Sequence, residues 1–275
     1  MFNNVEFIYM KEKDPQTIIE KLKSTLTKNS VDYEKIIKEL GQEEAAKKRS
    51  NGHHFSLNNH VKGMIHSMLS NNRPWEPIAH NMDNLDKIFL NYDTDKLENA
   101  DPQKLVNQVK AIQCGNRSIN SQMKYLKHNI NQFRQIQKDY NSIDNFLEEN
   151  RVEDAVKLLS DPKSPYKIKQ MGPPLTMEYL KNVGIIGIKP DVHLLRICGP
   201  ERLGIFKSQN LNEVIKSFEE LSKETKLSMT YLDNLFWIFG AKDYGEICSS
   251  TPKCFECNCE LIDCCNYPKN HPLED

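Results

Sequence analysis

Apolar residues along this chain recur mostly at intervals of three and four positions, whereas strict alternation of apolar and polar residues is scarce. The first spacing places apolar side chains on one face of a helix, and the second is typical of strands. The pattern therefore predicts an all-α protein. The predicted helices are 15–27, 33–48, 58–70, 75–81, 85–91, 102–112, 116–139, 142–150, 151–159, 175–183, 191–198, 212–225 and 228–239.

The length of 275 residues permits two domains, and the charge is balanced, with 37 basic against 38 acidic residues. This balance neither demands nor excludes a nucleic-acid partner. Residues 1–52 are rich in lysine and glutamate, which predicts an N-terminal helical extension, with an integral layer as the alternative. No apolar run approaches the roughly 20 residues of a membrane span, and the N-terminus lacks a leader pattern. We therefore expect a soluble, cytoplasmic protein.

Six of the eight cysteines lie in one C-terminal stretch, at positions 248, 254, 257, 259, 264 and 265. Four thiolates from a compact loop suit a 4Fe-4S cluster or a tetrahedral zinc ion. The predicted ligands are Cys248, Cys254, Cys257 and Cys264. Disulfides are the alternative, but they are less favoured because only two cysteines lie elsewhere and the sequence shows no secretory leader pattern.

Two further segments carry candidate chemistry. Gly172 is followed by Pro173 and Pro174, which predicts either a plain interhelical turn or a helix starting at Leu175 with its first N–H groups free to meet a phosphate. Asp191 follows Lys189-Pro190, where it serves as an N-cap or, alternatively, as a catalytic carboxylate held at a helix start.

Together these features resemble the helix-hairpin-helix DNA glycosylase superfamily, specifically its iron–sulfur branch, over roughly Asn58 to Tyr267. In that family a hairpin of the pattern hydrophobic-x-Gly-hydrophobic-Gly precedes a catalytic aspartate, and a four-cysteine loop follows. The corresponding segments are 168–172 at the hairpin, 183–197 around Asp191, and 235–247 leading into Cys248.

The resemblance implies a two-lobed fold in which 72–184 form a six-helix-type lobe with the hairpin, and 53–71 plus 185–275 form a second lobe with the metal loop. It implies that Gly172, Lys169 and Gln170 contact the DNA backbone. Asn71 or Asn72 would fill the gap left by an extruded base. A monomer would bind double-stranded DNA and flip a damaged or mismatched base into the interlobe cleft, where Asp191 acts.

The chain departs from the family at three places. Pro174 stands where bifunctional members carry the lysine that forms a Schiff base, so we expect a monofunctional glycosylase without lyase activity. Gln170 replaces the first glycine of the hairpin, which puts one backbone contact to phosphate in doubt. The cysteine spacing, C-x5-C-x2-C-x6-C, also differs, so Cys259 and Cys265 are alternative fourth ligands.

Two other functions remain open at this point. One is a non-catalytic DNA-binding protein on the glycosylase scaffold, which Pro174 and Gln170 would permit. The other is a zinc-stabilised helical interaction module without DNA chemistry.

Overall fold

All regular secondary structure in the described part of the chain is helical. The computed structural model describes residues 14–257 and 259–271, without the side chains at 259 and 260. No strand occurs among these residues, so the predicted all-α class is confirmed. The helices are α1 Pro15–Lys28, α2 Tyr33–Leu40, α3 Gln42–Ser50, α4 Leu57–Leu69, α5 Glu76–Ala79, α6 Met82–Ile88, α7 Thr94–Leu97, α8 Pro102–Ala111, α9 Ile119–Lys124, α10 Leu126–Tyr140, α11 Ile143–Glu149, α12 Val152–Ser160, α13 Pro173–Asn182, α14 Val192–Cys198, α15 Leu211–Thr225, α16 Met229–Gly240, α17 Cys259–Cys264 and α18 Tyr267–Asn270.

Local caps explain where many of these helices begin. The carboxylate of Asp101 accepts a hydrogen bond from the N–H of Gln103 (2.8 Å), with Pro102 in the first helical position of α8. Ser56 and Asn59 form a reciprocal capping box at the start of α4. Such caps typically contribute about 1 kcal/mol each. Because a cap needs only neighbouring residues, these boundaries were predictable from the sequence.

Two long predicted helices are each divided. The predicted helix 33–48 breaks at Gly41, whose φ of 72° lies in the left-handed region that ends α2. The predicted helix 116–139 breaks at Tyr125, which separates α9 from α10. The apolar spacing continues through both breaks, so the hydrophobic pattern alone did not reveal them.

The described residues form two compact units. The hairpin unit is Glu44–Ile185, and the cysteine unit comprises the described residues up to Glu43 and from Ile186 onward. This grouping differs from the predicted lobes, because residues 53–71 belong to the hairpin unit and the described part of the predicted extension, 14–52, is shared between the units. The cause is packing between residues far apart in the chain, which the spacing of apolar residues does not predict.

The core of the hairpin unit is built around α4 and α13. Met64, Ile65 and Met68 on α4 are fully buried. α13 packs directly against α4. Gly63 permits this close approach, because a Cβ there would lie 3.2 Å from Cγ1 of Val183. This contact keeps residues 57–69 in the hairpin unit.

The core of the cysteine unit includes the N-terminal helices. Leu22 and Leu26 of α1 are fully buried, and α1 packs against α15 and α17. α14 packs against the mostly apolar α16. Residues 15–40 are therefore an integral layer of this unit, the alternative that the sequence left open. None of the described helices combines the length and apolar character that crossing a membrane requires.

A buried charge network crosses the hairpin unit. The Asp144 side chain on α11 is 1% exposed and accepts hydrogen bonds from Arg49 Nη2 (2.6 Å) and His60 Nε2 (3.2 Å). Arg49 Nε also donates to the carbonyl of Val183 (2.9 Å), and the Tyr179 hydroxyl lies 2.8 Å from His60 Nδ1. Because Nε2 faces a carboxylate, we assign the proton to Nε2 and the Tyr179 hydroxyl as the donor to Nδ1. The network joins α3, α4, α11 and α13.

Burial and hydrogen bonding shift the pKa values of these groups in a consistent way. Burial alone would raise the pKa of Asp144, but hydrogen bonds from His60 and Arg49 outweigh it and hold that pKa at about 2. Burial lowers the pKa of His60, and it lowers the pKa of His66, also on α4, to about 4. In the folded state both histidines are therefore neutral at neutral pH.

We expect the free energy of unfolding to fall as the pH is lowered from about 7. In the unfolded chain the two histidines take up protons below about pH 6.5, whereas in the folded state they stay neutral, so acid favours unfolding. Below about pH 4 the unfolded carboxyl of Asp144 is protonated while the folded one stays ionised, which adds a further loss down to its pKa of about 2. Urea unfolding across this range measures the effect. Constant stability between about pH 7 and pH 4.5 would contradict it.

Candidate functional site

The predicted hairpin lies between α12 and α13. The N–H of Ile168 donates to the carbonyl of Leu159 (3.0 Å), which anchors the loop to the end of α12. Gln170 is exposed and has a φ of 66°, the left-handed conformation that glycine adopts most easily. Among the described residues, no protein acceptor faces the backbone N–H of Gln170 or Gly172. Two donors are therefore available to an anion at the tip of the loop.

Side chains outside the tip hold this loop in place. Buried Asn129 on α10 pairs with the backbone of Lys169 in both directions: it accepts from the N–H (2.8 Å) and donates to the carbonyl (3.1 Å). The ammonium of Lys167 donates to the carbonyls of Ser160 and Met171. Lys167 is thus part of the loop structure, whereas Lys169 is exposed.

The helix after the hairpin begins two residues earlier than predicted. Gly172 is the N-cap of α13, so Pro173 and Pro174 occupy its first two positions. Proline has no N–H, hence two of the donors expected at this helix start do not exist. Of the first three N–H groups of this helix only that of Leu175 remains, because the N–H of Thr176 already donates to the carbonyl of Gly172. The anion donors of this segment are therefore the N–H groups of Gln170, Gly172 and Leu175, fewer than expected for a full helix terminus.

The predicted gap-filling residues follow the end of α4. Asn72 is exposed, with a φ of 51°, and Asn71 is half-buried. The guanidinium of the next residue, Arg73, donates to the carbonyls of Gly115 (2.8 Å) and Gln113 (2.5 Å). This fixes the turn, and of the two asparagines Asn72 is the one presented to solvent.

Asp191 is the N-cap of α14 in the cysteine unit. Its Oδ1 accepts hydrogen bonds from the N–H groups of His193 (2.9 Å) and Leu194 (3.2 Å). Its Oδ2 lies 3.9 Å from Nζ of Lys189, and the side chain is 19% exposed. Backbone N–H groups therefore fix one oxygen of the carboxylate, whereas the other oxygen faces the Lys189 ammonium and remains accessible.

Four cysteines line one pocket in the cysteine unit: Cys248, Cys254, Cys257 and Cys265. Cys264, the predicted fourth ligand, does not line this pocket, although it precedes Cys265 directly. The side chain of the other alternative, Cys259, lies outside the described residues. The structure thus gathers a thiol set with the spacing C-x5-C-x2-C-x7-C.

Buried Arg202 anchors this loop. It donates to Sγ of Cys248 (2.8 Å), to the carbonyl of Cys248 (2.9 Å) and to the carbonyl of Ser249 (2.8 Å). Its guanidinium also lies over the ring of Tyr267, 5.2 Å from the centroid. Burial raises the pKa of the Cys248 thiol to about 11, although the charge of Arg202 acts in the opposite direction.

The chemistry of this donor set fits an iron–sulfur cluster. Thiolates are the usual ligands of such clusters, and all four thiols face the same pocket. Tetrahedral zinc also takes four thiolates, so the donor set suits either group. Among the described residues, no three His, Cys, Asp or Glu side chains are arranged to hold a single metal ion.

Comparison with known proteins identifies the fold. No family model and no curated protein sequence matches this chain. Among solved structures, it is similar to the 8-oxoguanine DNA glycosylase of Methanocaldococcus jannaschii, with a TM-score of 0.50 and 17% identity over 79% of this chain and 92% of that chain. At this identity the likeness shows the fold alone. The chain shares the helical fold of this DNA glycosylase, which confirms the predicted fold class.

Two residues near these sites, Arg202 and Asn129, escaped the sequence analysis. Cys265 was only an alternative ligand there. The partners of Arg202 and Asn129 lie 46 and 40 residues away in the sequence. No local pattern marks such a contact, so only the tertiary structure reveals it.

Proposed function

We propose that this protein is a monofunctional DNA glycosylase that acts as a monomer on double-stranded DNA and releases a damaged or mismatched base. The observation that carries the proposal is the placement of Asp191 in a chain with this fold. One carboxylate oxygen is held by two backbone N–H groups at the start of α14, and the other is accessible beside Lys189.

Asp191 acts on the sugar of the flipped nucleotide. As the bond between C1′ and the base nitrogen breaks, the negative carboxylate stabilises the positive charge that develops on the sugar. The electron pair of that bond leaves with the base. A water molecule oriented by Asp191 then attacks C1′, forms the new C–O bond and gives up a proton to the carboxylate.

The hairpin unit supplies the grip on DNA. The N–H groups of Gln170 and Gly172 donate to a phosphate oxygen, and the exposed ammonium of Lys169 adds charge beside them. Asn72, with Asn71 behind it, fills the gap that the flipped base leaves in the stack. These contacts carry no sequence information, so they position the duplex without choosing the base.

Hydrolysis by water is the proposed reaction, since a lyase step needs an amine. Pro174, in the second position of α13, has no amine. The ammonium of Lys167 in the loop donates to the carbonyls of Ser160 and Met171, and burial lowers its pKa. Neither of these two residues supplies a free nucleophile, and the exposed ammonium of Lys169 is assigned to phosphate.

We assign a 4Fe-4S cluster to Cys248, Cys254 and Cys257, with Cys265 in place of Cys264 as the fourth ligand. When bound, such a cluster cross-links the loop through its thiolates and supplies no chemistry to the base-release step. Arg202 would offset the negative charge of the thiolates, since it already donates to Cys248 Sγ. Zinc is the alternative occupant.

Serine substitutions distinguish the two candidates for the fourth ligand. We expect Cys265→Ser to lower iron and sulfide content and visible absorption after anaerobic purification, because it removes a thiol from the pocket. The matched control, Cys264→Ser, changes a neighbouring thiol outside that pocket and should leave both unchanged. The opposite result would show that Cys264 is the ligand. Stoichiometric zinc in a colourless wild-type protein would show that the site holds zinc instead of a cluster.

Base release from a panel of duplexes tests the proposed function. Each duplex carries one damaged or mismatched base, beginning with 8-oxoguanine because it appears in the name of the similar structure. We expect release of one base without a covalent complex after borohydride treatment. Binding without release from any duplex would favour the non-catalytic DNA-binding alternative. A trapped complex would instead show a lyase reaction.

A further inference from the structure

Acidic residues are absent from two long stretches of the hairpin unit. Residues 102–138 contain seven Lys and Arg and no Asp or Glu, and residues 162–177 contain three Lys and no Asp or Glu. The whole chain has slightly more acidic than basic residues, 38 against 37. The hairpin unit as a whole has 20 Lys and Arg against 16 Asp and Glu, a net charge of +4. Basic charge is therefore concentrated in part of this unit.

The tertiary structure joins these two stretches. Asn129, the fourth residue of α10, holds the backbone of Lys169 through two hydrogen bonds of 2.8 and 3.1 Å. One turn further along α10, Gln132 Nε2 donates to the carbonyl of Pro165 (2.7 Å). The tip of the hairpin thus lies beside the N-terminal end of α10, so the charges of both stretches add.

The segment around α9, just before α10, is connected to the end of α4. The side chains of Asn116 and Gln122 both donate to the carbonyl of Met68, at 2.7 and 2.9 Å. The turn that contains Asn72 follows four residues later. The junction of α9 and α10 therefore lies between the turn of Asn72 and the hairpin tip, the two segments assigned above to DNA.

Three basic side chains are exposed at this junction: Lys124, Lys127 and His128. No described ion pair involves any of them, whereas Lys62 and Arg134 of the same unit do pair with carboxylates. Lysine ammonium groups without a carboxylate partner suit a ligand with regularly spaced negative charge.

We infer that Lys124, Lys127 and His128 form a phosphate-binding surface, the corner surface, which continues the DNA contact from the hairpin tip toward Asn72. This inference rests on the proposed function and extends it to residues outside the hairpin. The occupant is the sugar-phosphate backbone of duplex DNA. Lysine acts there as a point charge and binding releases counterions, so the surface adds affinity independent of sequence and of the damaged base.

Salt dependence of binding to an undamaged duplex of about 20 base pairs tests the corner surface. We expect Lys124→Gln/Lys127→Gln to make the slope of log K against log salt shallower by about 2 and to weaken binding at least ~10-fold at low salt. The matched control is Lys104→Gln/Lys138→Gln, which removes the same charge from the same acid-free stretch. Lys104 lies in the first turn of α8, and Lys138 lies 11 residues beyond Lys127 on α10, a rise of about 16 Å.

The outcomes separate this inference from the proposed function. The corner surface is overturned if the two double variants have equal slopes. It is also overturned if Lys124→Gln/Lys127→Gln has the slope of the wild type. Both conclusions hold even if the wild type releases a base. Conversely, a selective loss of slope in a protein that releases no base would support the surface and reject the enzyme. Failure of the wild type to bind duplex DNA would overturn both. Circular dichroism confirms that all variants fold.

Discussion

Asp191→Asn is expected to abolish base release, lowering the single-turnover rate by at least about 10²–10³-fold, while DNA binding persists. The neutral amide cannot stabilise the positive charge that develops on the sugar or take a proton from water. The fold should survive, because asparagine caps helices about as well as aspartate. The amide oxygen can still accept from the N–H groups of His193 and Leu194.

Single-turnover base release and affinity for an abasic duplex, measured on the same preparations, test this expectation. The control is Asp101→Asn, which makes the same change at another N-cap, that of α8. It should release base at the wild-type rate. If Asp191→Asn keeps more than about a tenth of the wild-type rate, Asp191 does not carry the chemistry.

Asp144→Ala is expected to lower the free energy of unfolding by about 3–5 kcal/mol, because it leaves the partners of a buried ion pair without their carboxylate. Arg49, which is largely buried, and His60, which is fully buried, would lose their shared acceptor. The backbone N–H of Phe55 would lose its bond to Oδ2. Alanine favours the helix more than aspartate does, so helix propensity cannot explain a loss.

Urea unfolding at neutral pH measures this difference, and Asp154→Ala is the matched control. Asp154 also lies in the first turn of a helix and pairs with an arginine, Arg151, but that pair is exposed to solvent. We expect the control to unfold at the wild-type urea concentration. Equal effects of the two substitutions would mean that the buried network contributes no more than a surface pair.

The buried network also connects stability to DNA binding. Tyr179 and Val183, which contact His60 and Arg49, lie on α13 and just after it. α13 begins at the hairpin tip. Loss of Asp144 is thus expected to loosen the helix that positions Gly172, in addition to lowering global stability.

Much of the fold was predictable because helices depend on nearby residues. The spacing of apolar residues indicated an all-α chain, and caps such as Asp101 placed helix starts within a residue or two. The N-cap at Asp191 was predictable for the same reason, because a carboxylate after Lys-Pro at a helix start is visible in the sequence. The breaks at Gly41 and Tyr125 were missed, since the apolar pattern continues across them.

The start of α13 shows where local rules can mislead. The sequence pattern predicts that the double proline precedes the helix, although proline is well tolerated in the first turn, where its missing N–H has no intrahelical acceptor. The structure places both prolines inside α13. This one difference changes the chemistry of the hairpin, because two N–H groups of the helix end are missing and the loop N–H groups of Gln170 and Gly172 become more important for binding an anion.

The sequence by itself determined the helical class, the clustering of cysteines, the carboxylate at a helix start and the missing amine at Pro174. Each is a property of neighbouring residues or of composition. Only the tertiary structure decided that Cys265 rather than Cys264 faces the thiol pocket, that Asn129 holds the hairpin, and that two acid-free stretches meet at the corner surface. These outcomes depend on contacts between residues far apart in the chain, formed by packing energies that no local pattern records.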